Sequence, residues 1–310
     1  MKYLIDNNFY NYIILSYVIM EIKYGIHNNY IDVTQICYSK LLKDNIISIP
    51  LCDHYRANYF SDPLVGVLKS VFIINNNIIT EYKDDCKVQI NIIDYTVHTK
   101  SVSEIHSNLQ LKYGNLYEEL PEQIMAINYL QCHEKVLEIG SNIGRNTLVI
   151  SSILKDPRQL VTLESDKDIA KQLLENKQLN NMNFHIENSA LSKRKLIQRG
   201  WETITSDVLL DGYKEVNTIT LEELNKKYNI KFDTLVLDCE GAFYYILMDM
   251  PEILDNINLI IMENDYFEIT KKEYVDNILL KNNFKVEYSE RGGWGPCENN
   301  FFQVWKRYTA

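Results

Sequence analysis

The chain is poor in the residues that punctuate or staple a fold: its 310 residues include only 11 glycines, 6 prolines, 3 tryptophans and 6 cysteines. The cysteines (Cys37, Cys52, Cys86, Cys132, Cys239, Cys297) form no CxxC pair. That argues against a thiolate zinc site, provides no regular disulfide framework and suits a reducing cytosol. The six histidines show neither HxxxH nor HxH spacing, so positions such as His133 and His185 read as surface or satisfied core residues, and no metal ligand is assigned. A basic field is also lacking. The formal net charge is -10 and the pI about 5.2, which argues against broad attraction to phosphate backbones and against nucleic acid as a partner. Long apolar runs are missing too. Phe9 to Met20 is uncharged but interrupted by Asn11, and it falls short of the ~20 residues a bilayer span needs. It reads as a buried helix or strand, and Asp6, Asn7 and Asn8 before it break up a secretory signal.

What is present is 46% hydrophobic residues, enough for a core, and one glycine cluster of unusual form. Val136-Leu137-Glu138-Ile139-Gly140-Ser141-Asn142-Ile143-Gly144-Arg145-Asn146-Thr147 reads as a buried parallel strand, a tight turn and a helix start. A dinucleotide fingerprint, G-x-G-x-x-G, places a pyrophosphate at the helix N-terminus. Here the pattern is E-x-G-x-N-x-G. A carboxylate at Glu138 would repel a pyrophosphate and suits a ligand with a positive amino group. The next strand, Val161-Thr162-Leu163-Glu164, ends in an acid twenty residues after Gly144, where a carboxylate can accept both ribose hydroxyls.

These motifs resemble the Rossmann-like, class I S-adenosylmethionine-dependent methyltransferases, and in particular the FkbM family, of a kind found in large DNA viruses. The resemblance covers roughly residues 113 to 310. It implies an α/β fold: a seven-stranded methyltransferase sheet with a terminal antiparallel hairpin, preceded by a small β-rich module. It also implies S-adenosyl-L-methionine as cofactor, held by Glu138, Gly140, Ser141, Asn142, Gly144 and Asn146 at the first motif and by Glu164 and Ser165 at the ribose. The run Asn188-Ser189-Ala190-Leu191-Ser192 matches the family's adenine segment, with Asn188 as the polar contact and Ala190 as the backbone one. A Tyr-Glu-rich lead-in precedes the first motif in that family, making Tyr117 and Glu122 secondary cofactor candidates.

A second signal follows a Thr220/Glu223 capping-box spacing. Phe232-Asp233-Thr234-Leu235-Val236-Leu237-Asp238-Cys239-Glu240-Gly241-Ala242 is a buried strand ending in D-x-E-G, similar to the family's K-I-D-V-E-G-A-E. It departs at Val236, where the family has Lys, and at Phe243, where it has an acid. Leu259 to Met262, ending at Glu263-Asn264-Asp265, brings a third carboxylate to the same sheet edge. Asp238, Glu240 and Glu263 are the catalytic candidates, with Asp238 also touching the cofactor. They can remove an acceptor proton or hold a divalent cation, Mg²⁺ or Mn²⁺, that lowers the acceptor's pKa; no metal ligand is assigned.

The expected organisation is a β-rich accessory module over 1–105 and a methyltransferase domain over 106–310, opening with a lead-in segment and helix over 106–134. In the module, Asn45 to Pro50, Val67 to Ile74, Asn77 to Tyr82 and Val88 to Ile93 read as strands, with a hairpin turn at Asn75-Asn76-Asn77. Residues 24–34 and 53–66 resemble a module attached to carbohydrate-related proteins of large DNA viruses. Asp53, His54 and Arg56 there are a polar-site candidate, with a solvated loop the blander alternative. Lys193 to Val216 reads as irregular. Lys285 to Ser289 and Phe301 to Lys306 read as two strands around a glycine-rich loop, on which Arg291 and Trp294 can form a sugar platform.

Three functions fit. The first is an O-methyltransferase acting on a sugar or glycan hydroxyl, or another small-molecule acceptor, in the cytoplasm, and in the host cytoplasm if viral. The second is an NAD-dependent oxidoreductase. The third is a non-catalytic scaffold whose first module binds a glycan or a protein partner.

Overall fold

The computed structural model describes residues 20–308, so the expected terminal segment lies outside the described residues except for Met20, which is buried. The chain divides between Ser103 and Glu104 into two compact units.

The first unit is two antiparallel four-stranded sheets. One has the order β2-β1-β5-β6, built from β1 (Glu21–Ile26), β2 (Asn29–Asp32), β5 (Ser70–Asn75) and β6 (Ile78–Tyr82). The other has the order β3-β4-β7-β8, from β3 (Leu42–Lys43), β4 (Ile46–Ile49), β7 (Cys86–Asn91) and β8 (Val97–Ser101). Inward residues of both sheets, among them Ile22, Tyr24, Ile47, Ile49, Val71, Ile73, Val88 and Ile90, share one core, as alternation along half-buried strands requires. The β5-β6 turn places Asn76 and Asn77 at φ 50° and 63°, the left-handed pair that a two-residue hairpin needs and asparagine tolerates. Residues 53–60 correct the sequence reading: Asp53–Phe60 is a helix, not a solvated loop, and its polar residues do not converge. Arg56 is fully buried and donates to the carbonyls of Pro50, Lys69, Lys83 and Cys86. Asp53 pairs with buried Lys69 at 2.8 Å and accepts from the Tyr24 hydroxyl, while His54 is exposed. Arg56 satisfies backbone groups that would otherwise be stranded in a small core.

The second unit is built on a seven-stranded sheet, β9 (Val136–Ile139), β10 (Leu160–Leu163), β11 (His185–Glu187), β17 (Thr234–Leu237), β18 (Leu259–Glu263), β19 (Phe284–Glu290) and β20 (Phe302–Arg307). The spatial order is β11-β10-β9-β17-β18-β20-β19. The first five strands are parallel, and β20 runs antiparallel to both neighbours. β9, β10 and β17 are buried throughout, which explains why they read as apolar runs rather than alternating ones. Leu137, Ile139, Val161, Leu163, Leu235 and Leu237 pack on one face with Phe243, Ile246 and Leu247 of the helix Ala242–Asp249 and with Val275 and Leu279 of the helix Ile269–Lys281. The chain starts at the centre, moves outward through β10 and β11, then returns to β17. The carboxyl ends of β9 and β17 therefore flank the reversal point, where open α/β sheets bind ligands.

Between β11 and β17 come the short strands β12 (Ala190–Leu191), β13 (Leu196–Arg199), β14 (Glu202–Thr205), β15 (Lys214–Val216) and β16 (Thr218–Ile219). The stretch expected to be irregular is thus largely an antiparallel sheet of order β14-β13-β15. Its strands are short and mostly exposed, so no apolar alternation announces them.

Candidate functional site

Gly140 ends β9 with φ +89°, and a Cβ there would stand 1.5 Å from the carbonyl oxygen of Asp238 at the end of β17. Both the backbone angle and the contact demand glycine, and they bring the two central strand ends together. The N–H groups of Gly140 and Ser141 both donate to the Leu163 carbonyl, at 3.0 and 3.1 Å, tying the turn to β10. Asn142, at φ 50°, donates its N–H to Glu164 Oε2 at 2.9 Å, and Asp166 N–H donates to Glu164 Oε1 at 2.8 Å. Glu164 is thereby fixed facing the cavity; burial raises its pKa, while the backbone donors oppose the shift. Gly144 caps the helix Arg145–Ile153 in the left-handed region, at φ +93°, where a Cβ would strike Leu173.

A cavity of about 920 Å³ opens at these strand ends, at the upper end of the roughly 300–1,000 Å³ typical of small-molecule sites. Its lining includes Gly140, Asn142, Glu164, Ser165, Ala190, Asp238, Glu240 and Glu263 from the sequence-derived candidates, together with Glu122. Several candidates are not on that wall. Glu138, only 2% exposed, corrects an expectation: its Oε2 accepts from Thr147 and Thr162 hydroxyls at 2.6 Å each, and it does not line the cavity. Strand alternation explains this, since Leu137 and Ile139 take the opposite face. Burial pushes the Glu138 carboxyl up to about 7, against the two threonine hydrogen bonds. Ser141 is buried in the turn, and its hydroxyl donates to the Leu163 carbonyl. Gly144 and Asn146 lie beneath the turn, the latter with a buried Oδ1 lacking a protein partner. Asn188 directs its amide N–H to the carbonyls of Glu164 and Ser165 at 2.8 and 3.3 Å; the neighbouring Ser189 and Ala190 reach the cavity instead. Tyr117 packs edge-on against His106. Trp294 packs against Phe267 with ring centroids 4.5 Å apart and planes tilted by 49°, Arg291 pairs with Glu298, and neither Trp294 nor Arg291 is on the cavity wall.

Among the described residues, the wall carries eight carboxyl side chains, Glu119, Glu122, Glu164, Asp166, Asp238, Glu240, Asp249 and Glu263, against a single cationic one, Arg194. That cation is already engaged: its Nε and Nη2 donate to the two Asp249 oxygens at 2.6 and 2.8 Å. Burial, a hydrogen bond with Glu122 and the nearby Asp238 all hold Glu263 protonated far above the ordinary carboxylate range. Burial and the surrounding Asp265, Glu119, Glu122 and Glu240 raise Asp238 in the same direction. Asp265 accepts the Gly241 N–H at 2.8 Å and is pushed up to about 7, chiefly by burial. Glu240 sits at φ 51° before Gly241 at φ 74°, and consecutive left-handed residues at a strand end are a strained geometry typical of functional loops. Among the described residues, no group of three or more His, Cys, Asp or Glu side chains is arranged to hold a metal ion.

Sequence reading missed Glu119, Arg194, Gln198, Trp201, Tyr245 and Asp249 on this wall. Arg194 and Asp249 meet across 55 residues of chain, which no local pattern reveals.

No protein-family model and no curated protein sequence matches the chain. Solved structures are similar to it at low identity. An O-methyltransferase from Bacillus cereus in complex with S-adenosylhomocysteine is 15% identical over 66% of this chain and 90% of that one, with a TM-score of 0.39. Aeropyrum pernix fibrillarin with natively bound S-adenosyl-L-methionine is 12% identical over 72% and 94%, at 0.39. A protein of the NADB-Rossmann superfamily from Streptococcus agalactiae is 14% identical over 60% and 67%, at 0.38.

Proposed function

We propose that this chain is an S-adenosylmethionine-dependent O-methyltransferase of the FkbM type, acting on a sugar or glycan hydroxyl. The observation that carries the reading is the charge of the cavity at the sheet's reversal point: eight carboxylates and one committed arginine. S-adenosylmethionine carries a sulfonium and an ammonium, and this wall complements both. A dinucleotide pyrophosphate would meet the same acids with no free cation, which counts against the NAD reading.

The residues present fit the cofactor. Glu164, held by two backbone N–H groups, keeps lone pairs for two ribose hydroxyls. Gly140 and Asn142 at the turn, Ser165 beside Glu164, Ser189, Ala190 and Asp238 line the same cavity and would hold the rest of the cofactor. When bound, S-adenosylmethionine supplies an electrophilic methyl group on sulfur. The protein's part is alignment and proton removal. A carboxylate at the strand ends would take the hydroxyl proton of an acceptor aligned with that methyl group. Glu240 on the cavity wall suits that task, while Asp238 and Glu263, which burial among like charges holds protonated, take it up once a cationic ligand favours their ionised forms. Glu240, raised by burial, lies at the rim. A glycan acceptor and a cytoplasmic setting belong to this reading.

Calorimetry with S-adenosylmethionine and with NAD tests the cofactor, and absence of S-adenosylmethionine binding would sink the reading. A methyl-transfer screen over mono- and oligosaccharides, with and without Mg²⁺, tests the reaction. Asp238→Asn and Glu240→Gln should each lower transfer, and unchanged rates in both would remove these residues from catalysis.

A further inference from the structure

The three-stranded sheet formed by β13, β14 and β15 has a place in the cavity that the cofactor reading does not use. Gln198 of β13 accepts from the Ser165 hydroxyl at 3.2 Å, and Lys214 of β15 pairs with Asp168 at 3.2 Å. The sheet is thus tied to the loop that follows the ribose acid. Its turn and its edge strand β14 line the cavity through Trp201, Thr203 and Thr205. Trp201 remains 63% exposed while lining that wall. A ring sandwiching a buried base would be enclosed, whereas a half-open ring at a rim suits a group arriving from solvent.

We infer that this sheet carries the acceptor subsite, with the Trp201 ring as platform for the apolar face of a neutral sugar and the Thr203 and Thr205 hydroxyls meeting its edge. The chemical class follows from the same wall. Carboxylates accept hydroxyl protons, but the one cationic side chain there, Arg194, is committed to Asp249 and stacked over Tyr245 at 5.0 Å. A phosphorylated or sulfated acceptor would bring anionic groups to an acidic cavity with nothing to neutralise them. The assignment as an acceptor subsite rests on the methyltransferase reading, while sugar binding at Trp201 does not.

The test uses the full chain and saturation-transfer NMR with methyl glycopyranosides, the corresponding sugar 6-phosphates and a lysine-containing peptide, with and without S-adenosylhomocysteine. Methyl glycosides should bind best. Trp201→Ala should weaken them roughly three- to tenfold, the worth of one aromatic contact. Trp201→Phe should restore part of the loss, and both variants should bind S-adenosylmethionine with wild-type affinity by calorimetry. The inference is overturned if no methyl glycoside binds, if Trp201→Ala leaves their affinity unchanged, or if it weakens the cofactor as much as the sugar. Preference for the phosphates or the peptide also overturns it. Glycoside binding that depends on Trp201 in a protein that fails to bind S-adenosylmethionine would uphold the sugar site and refute the methyltransferase reading instead.

Discussion

Gly140 is the position where side-chain size matters most, because a single methyl group would collide with the Asp238 carbonyl. Gly140→Ala should cost at least about 2 kcal/mol through strain and displaced strand ends, lowering the thermal midpoint and abolishing cofactor binding by calorimetry. Glu138 offers a test of sign. Burial pushes its carboxyl up to about 7, from about 4.5 for an exposed glutamate, so the folded state binds the proton more tightly. Its stabilising contribution is complete below about pH 4.5 and is lost as pH rises to about 7, a change of roughly 3 kcal/mol. Glu138→Gln, which still offers an acceptor to Thr147 and Thr162, should flatten that fall in thermal or denaturant titrations between pH 5 and pH 8. Gly140 and Glu164 were legible in the sequence because backbone geometry and motif spacing are local. Glu138 was misplaced because a motif does not say which face of the strand a side chain takes. Trp201 and the Arg194–Asp249 pair were invisible because tertiary folding alone assembles them.

At the scale of elements, the strongest sequence signals lay where local chemistry and burial agree. The capping box at Thr220 and Glu223 forms in full, with the Thr220 hydroxyl accepting the Glu223 N–H and the Glu223 carboxylate accepting the Thr220 N–H. Thr220→Ala should cost about 1 kcal/mol, measurable by chemical denaturation. The strands β9, β10 and β17 were readable as apolar runs, and the Asn76-Asn77 turn as a hairpin. The inserted sheet was not, since segments such as Glu202-Thr203-Ile204-Thr205 bury too little to leave a period. The helix Asp53–Phe60 escaped for a related reason: its inward residues include Arg56, whose burial depends on four carbonyls from distant segments.

At the scale of the whole molecule, the described residues that line the cavity all lie between Glu119 and Glu263. A chain beginning at Val102, which keeps the helix Val102–Ser107 intact, should therefore bind S-adenosylmethionine within about threefold of the full protein, roughly 0.7 kcal/mol. The raised acids make a further demand: a cationic ligand favours their ionised forms, so binding should release protons. Calorimetry at pH 7 in buffers of different ionisation enthalpy should show that release, and Glu263→Gln should diminish it. The wall's charge also bears on turnover. Methyl transfer would leave a neutral thioether where a sulfonium entered, so the acid-lined wall should hold the substrate more tightly than the spent cofactor, by roughly 1 kcal/mol. The cavity would then loosen its grip once the methyl group has left, and S-adenosylhomocysteine should bind about fivefold more weakly than S-adenosylmethionine by calorimetry.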